Sequence, residues 1–168
     1  MNKKGQFFSP DLIIAVLIFL TILFFFFNAS DAIFSRVDLS ENLTAADEVS
    51  HNTMNILIYS PGVPFNWETK NFSQISLFGL AIQKNVIDEA KLVKLISFLD
   101  NDDEYLLIKE KMGLGKNEFK LELVNYDGNV LYSSNHVFGA SKYKLSYERI
   151  VLFNGQQAIL RGTIADEK

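Results

Sequence analysis

Residues 12–27 read LIIAVLIFLTILFFFF, an uncharged run in which Thr21 is the one polar side chain. Beyond it Ile33, Val37, Leu39, Leu43, Ala46, Val49, Met54 and Leu57 recur mostly three or four residues apart, with Arg36, Asp38, Glu41, Asp47 and Glu48 between them. That spacing is the signature of a helix with one apolar face. No Gly or Pro stands between Asp11 and Ser60, and Pro61-Gly62 then closes the pattern. One helix of about 49 residues, roughly 73 Å long at 1.5 Å per residue, is the expectation. Two helices broken near Asn28-Ala29-Ser30-Asp31 are the alternative. Ser9 is placed to cap the first amides, Pro10 suits the first helical position and Asp11 favours the positive end of the helix dipole, so the helix should begin at Pro10.

Past the helix, Ser60-Pro61-Gly62-Val63-Pro64-Phe65-Asn66-Trp67 is a turn-forming loop holding the only Trp. Trp67 is expected to pin this loop to a core; a surface Trp for ligand contact is the competing reading. Asn85 with Asp88 resembles a capping box for a second helix running to Leu99, whose Leu92, Leu95, Ile96 and Leu99 form an apolar stripe. Asp102 or Asp103 should cap a third helix over 104–112, stopped by Gly113.

Strands follow. Phe119, Leu121 and Leu123 alternate with Lys120 and Glu122, and Asp127-Gly128 predicts a two-residue hairpin turn leading to about Tyr132. A second hairpin should turn at Asn154-Gly155, which sets Val151 opposite Ala158, Arg149 opposite Leu160 and Glu148 opposite Arg161. Leu145, Tyr147, Val151, Phe153, Ala158, Leu160 and Ile164 then share the buried side, with Lys144, Ser146, Glu148, Gln157, Arg161 and Thr163 mainly on the other. Arg149 violates this division: it is expected near a sheet edge, its stem buried and its charge in water, and a contact residue is the competing reading. The fold class is therefore α+β: a long amino-terminal helix, transmembrane then amphipathic, two short helices and a small antiparallel sheet of two hairpins.

The apolar run reads as a membrane segment, with the transmembrane part at about 10–30. Its sixteen residues span roughly 24 Å against a hydrocarbon core of ~30 Å, so neighbouring apolar residues must contribute. A cleaved secretory signal, cut near Ser30-Asp31-Ala32, is the alternative. Lys3 and Lys4 place the short amino terminus in the cytoplasm and the remainder outside. An Asp at the edge of an apolar phase is costly, which makes Asp11 a functional candidate as well as a cap.

Lys3-Lys4-Gly5-Gln6, followed by Ser9, Asp11 and the long apolar helix, resembles the class III signal peptide of archaeal type IV pilin-like proteins. The resemblance implies that a prepilin-type peptidase cuts between Gly5 and Gln6. Residues 1–5 would be a cytoplasmic leader, 6–58 the long helix and 59–168 an extracytoplasmic α+β head. It also implies that Asp11, with Phe7 and Phe8, takes part in assembly with other pilin-like subunits and a membrane platform. Ser9 and Asp11 stand one place later than in the family's Gln-x-Ser-x-Glu pattern, and Asp replaces Glu. Gly62-x-Pro64-x-x-Trp67 and Gly79-Leu80-Ala81 resemble segments of archaeal pilin-like heads.

Charge and composition narrow the alternatives. With 16 Lys and Arg against 20 Asp and Glu, the net charge is −4, which disfavours a nucleic-acid partner. No Cys is present, so thiolate zinc sites and Cys nucleophiles are excluded. His51 and His136 are the only histidines, too few for a multi-histidine metal site. Glu48-x-x-His51 has the spacing of a di-iron helix pair but lacks its second copy. Gly113-Leu-Gly115-Lys116 fails the phosphate-loop pattern, and the acidic run from Asp100 to Glu104 fails the calcium-loop pattern and reads as a helix cap. Catalytic, cofactor and metal residues are not expected, nor is an enzyme. Asn42 and Asn71 are candidate glycosylation acceptors in Asn-x-Ser/Thr sequons.

The expected function is structural: a membrane-anchored pilin-like subunit of a type IV filament or related surface assembly, held by membrane lipid. A single-span surface receptor or adhesion module that does not polymerise is the rival.

Overall fold

A computed structural model of the chain describes residues 10–166. In chain order they form α1 (Pro10–Tyr59), 3-10 turns at Trp67–Thr69 and Phe72–Gln74, β1 (Ala81–Gln83), β2 (Val86–Ile87), α2 (Glu89–Leu99), α3 (Asp102–Lys111), β3 (Asn117–Asn125), β4 (Val130–Ser133), β5 (Lys144–Phe153) and β6 (Gln156–Asp166). They make two compact units, one ending at Asn42 and one beginning at Leu43.

From Pro10, the first described residue, helix α1 runs to Tyr59 without the alternative break near Asn28, and the expected cap Ser9 lies outside the described residues. Two polar residues of its apolar stretch are accommodated within the helix. Thr21 Oγ1 donates to the Leu17 carbonyl at 2.8 Å, and Asn28 Nδ2 donates to the Phe24 carbonyl at 2.8 Å. Such bonds to the preceding turn hide a donor without breaking the backbone ladder.

The second unit is built on one six-stranded sheet of order β1-β2-β5-β6-β3-β4. Its hub is the β5–β6 hairpin, which turns at Asn154 (φ 50°) and Gly155 (φ 78°). Two left-handed residues make the turn whose twist matches the flanking strands, which is why Asn-Gly serves there. The register is the expected one: Glu148 faces Arg161, Arg149 faces Leu160 and Val151 faces Ala158. Strand β6 also pairs antiparallel with β3 from Asn117↔Asp166 to Asn125↔Ala158.

The sheet is larger than two hairpins. Strands β1 and β2 form a third, and β2 runs parallel to β5 through Val86↔Leu152 and Ile87↔Phe153, making the sheet mixed. Its turn contains Asn85 at φ 63°, so Asn85 is a turn residue and not a helix cap. Asp88 caps α2 instead, accepting from the amides of Ala90 at 2.9 Å and Lys91 at 3.3 Å. The cap of α3 is Asn101, one residue before the expected pair, because its side chain reaches the Asp103 amide at 3.1 Å. The Asp127-Gly128 turn is also longer than two residues: the Asn125 amide bonds to the Asn129 carbonyl at 2.9 Å, enclosing three residues between them.

The core lies between the helices and one face of the sheet. Ala46, Met54, Leu57 and Ile58 of α1, Leu92, Leu95, Phe98 and Leu99 of α2, and Ile108 of α3 are buried. From the sheet come Phe119, Leu121, Leu123, Val151, Phe153, Ala158, Leu160 and Ile164, while the expected Leu145 and Tyr147 are half-buried. Gly162 lies on this inner face, where a Cβ would stand 2.4 Å from the Met54 sulfur. Of the opposite face, Lys144, Ser146, Glu148 and Gln157 are exposed and Arg161 half-buried, but Thr163 is buried, its hydroxyl 3.0 Å from that of Ser146. Arg149 is half-buried on a stretch of β5 that lies beyond its two pairs with β2, the edge position expected of it.

Candidate functional site

The feature that most distinguishes the first unit is apolar surface. Over Asp11–Ser30 the helix is long and apolar enough to cross a membrane, and none of it is buried by the rest of the protein. Exposure of its large side chains runs from 37% at Leu23 to 66% at Phe25. Transfer of each such side chain out of water is worth about 1.5–3 kcal/mol when complete. A contiguous sleeve of this kind is far beyond the scattered apolar residues of an ordinary soluble surface. Asp11 sits in the first turn at the end of this sleeve, exposed. Gly5, Gln6, Phe7 and Phe8 lie outside the described residues. Asn42 is half-buried on α1, and Asn71 is exposed just before a 3-10 turn.

In the second unit the Trp67 loop is a structural latch. Trp67 is 0% exposed, its indole N–H donates to the Gly79 carbonyl at 2.8 Å, and its ring meets Phe78 edge-on at 5.3 Å. Trp67 is therefore a core residue, which removes it as a ligand-contact side chain. The loop is held a second time by Lys91 of α2, itself buried, whose ammonium donates to the Pro61 carbonyl at 2.7 Å and lies 4.5 Å from the centre of the Phe65 ring. The positive charge is thus met by a carbonyl dipole and an aromatic face.

One cluster of ionisable groups, drawn from α3, β3 and the loop after β4, is one the sequence did not announce. Tyr105 Oη donates to Glu118 at 2.7 Å and accepts the Phe119 amide at 2.8 Å. Lys109, one turn further along α3, donates to the other oxygen of Glu118 at 3.1 Å. His136 brings Nε2 within 2.5 Å of Glu118 and stacks on Tyr105 with ring centres 4.5 Å apart. Burial pushes the Glu118 carboxyl up, but the Tyr105 hydroxyl, Lys109 and His136 outweigh it and hold the group below the ordinary Glu value. The spacing of Tyr105 and Lys109 was the only sequence signal, since i and i+4 share a helix face. Their common partner comes from β3, and no local pattern names it.

This network completes the sheet. Strand β4 pairs β3 only from Glu122 onward. Before that point, Ser134 exchanges hydrogen bonds with Leu121, and the Tyr105 hydroxyl takes the Phe119 amide. Side chains thereby occupy backbone groups that an edge strand would leave open.

Two further polar sets join distant segments. Glu89 accepts from Tyr132 and, at 3.0 Å, from Asn154, which lowers its carboxyl below the ordinary value, chiefly through the Tyr132 bond. Across the open sheet face Arg161 bridges Glu148 at 2.8 Å and Glu122 at 3.4 Å. His51 is exposed, within 3.1 Å of Asn55, and Glu48 is exposed as well. Among the described residues no three His, Cys, Asp or Glu side chains gather as metal ligands would. Asp100 accepts from the backbone and side-chain amides of Asn135, at 2.6 and 2.9 Å, and so fastens a loop.

No family model matches this chain, and neither a similar curated protein nor a similar solved structure was found.

Proposed function

We propose that this protein is a structural, membrane-anchored pilin-like subunit of a type IV filament or related surface assembly, without enzymatic activity. The observation that supports it is a single helix with two environments: it is apolar and uncovered over Asp11–Ser30, and its later turns carry Ala46, Met54, Leu57 and Ile58 into the core of an α+β head. The leader-like Lys3-Lys4-Gly5-Gln6 adds processing by a prepilin-type peptidase to this reading. Such trimming leaves residues 12–27 in the cytoplasmic membrane, with the head outside. Assembly then exchanges lipid contacts for contacts between apolar helices, so the Phe-rich segment need not pass into water.

The alternative of a non-polymerising receptor or adhesion module draws on the open sheet face, where Tyr126, Val130 and Ile150 are exposed. The deciding experiment is the mass of the amino-terminal peptide of the protein isolated from its native membranes. A terminus at Gln6, as such or cyclised, is the expected result. An intact Met1 or Asn2 would favour the plain anchor, and a start at Ile33 would mean a secreted protein and overturn the proposal.

A further inference from the structure

Thr21 and Asn28 are seven residues apart on α1, so at about 100° per residue they fall within about 20° of each other on the helix surface. Both are exposed, in a stretch otherwise made of Leu, Ile, Val, Ala and Phe. Each has one donor tied to its own preceding turn. Thr21 retains acceptor capacity, and Asn28 retains a second N–H and its carbonyl oxygen. The same seven-residue step in the sequence lands on Ser35 and Asn42.

From this we infer that the anchor helix pairs in the membrane with a second copy of itself, in parallel, along a seam through Ile14, Thr21 and Asn28, with Leu17 and Phe24 packing beside it. The inference rests on the membrane-anchor part of the proposed function and goes beyond it by naming the face and the partner. Three considerations select a second copy as the occupant. Copies inserted in one direction carry Asn28 at one depth, so that two such residues meet without any vertical shift. A carboxamide is donor and acceptor at once and is therefore complementary to itself across a two-fold axis. Thr21 lies within the apolar run of residues 12–27, where lipid tails satisfy none of its polar atoms, and Asn28 follows that run directly at the membrane boundary, where a facing helix offers partners to its carboxamide. A polar residue repeated at one seam position also fixes the register of parallel helices, since any shift leaves both copies unpaired.

The chain has no Cys, which permits a direct test on the full-length protein reconstituted in phosphatidylcholine vesicles. Single replacements Ile14→Cys, Leu17→Cys and Phe24→Cys place a thiol on the seam, and Phe19→Cys and Phe26→Cys place one on the far side. Oxidation should give disulfide dimers at the three seam positions at least about fivefold more than at the other two. In the Leu17→Cys background, Asn28→Leu should lower the dimer yield by about three- to fifteenfold, and Asn28→Gln should restore most of it. Equal cross-linking on all faces, a maximum at Phe19 or Phe26, or no effect of Asn28→Leu would overturn the inference. Failure of the protein to float with the vesicles would overturn it together with the anchor. An uncleaved Met1 terminus would count against the filament subunit and leave the helix pair standing.

Discussion

Gly162 of β6 lies directly against Met54 of α1: a Cβ on the glycine would stand 2.4 Å from the methionine sulfur and 3.1 Å from the Phe119 ring. Helix and sheet meet at this point because one of the two residues has no side chain. Gly162→Ala should therefore destabilise the protein by about 1–3 kcal/mol through overpacking. Met54→Ala alone should also destabilise, by cavity formation. The two changes together should cost less than the sum of the single ones, which denaturant midpoints of the four proteins in a double-mutant cycle will show.

Glu118 gives the head a pH dependence with a defined sign. Its carboxyl is held below the ordinary 4.5 against burial that would raise it. A group with a depressed folded pKa contributes stability that is fully present above the unfolded value and lost as pH falls through the folded one. Thermal melts between pH 3 and 7 should show a falling acid limb in the natural protein that is shallower in Glu118→Gln. At neutral pH Tyr105→Phe, which leaves the Phe119 amide without its acceptor, should cost about 1–3 kcal/mol.

Trp67 is a built-in reporter, being the sole Trp and fully buried. Its emission should lie at short wavelength in the native protein and move to the red on unfolding in one step with far-ultraviolet circular dichroism. Trp67→Ala should lower stability by about 3–5 kcal/mol, the range for deleting a buried aromatic side chain. A red-shifted native emission would contradict the latch.

Asp11→Ala separates anchoring from assembly. Membrane retention depends on the apolar side chains that follow Asp11, so the variant should stay in the membrane fraction at its natural level. If the chain is a filament subunit, pelleted surface filaments should be lost. A variant that still forms filaments would remove Asp11 from the assembly machinery.

How much of this was legible in the sequence differs by element. Asn154-Gly155 declared the β5–β6 register completely, because a two-residue turn leaves no freedom in how its arms align, and the burial of Val151, Phe153, Ala158 and Leu160 followed. The Gly- and Pro-free run after Asp11 declared α1 less completely, because a break near Asn28 was open until the helix proved continuous. Strands β1 and β2 were not legible: three and two residues are too short for alternation to register, and Asn85 looked like a cap when it was a turn. Periodicity assigns faces but not neighbours, so the junction of β3 with β6 was beyond it. The same limit hid the Tyr105–Glu118–His136 network, whose members meet only after α3, β3 and the loop that follows β4 have converged.

Strand β6, the last in chain order, occupies an inner place in the sheet, bonded on both sides. Timing follows from that placement. During synthesis, Met54, Leu57 and Ile58 are made more than a hundred residues before the ribosome reaches Ile164. Until then their apolar side chains have no complete cover, and contacts of such long range close slowly. Loss of β6 would take an inner beam out of the sheet while leaving its margins, β1 and β4, in place.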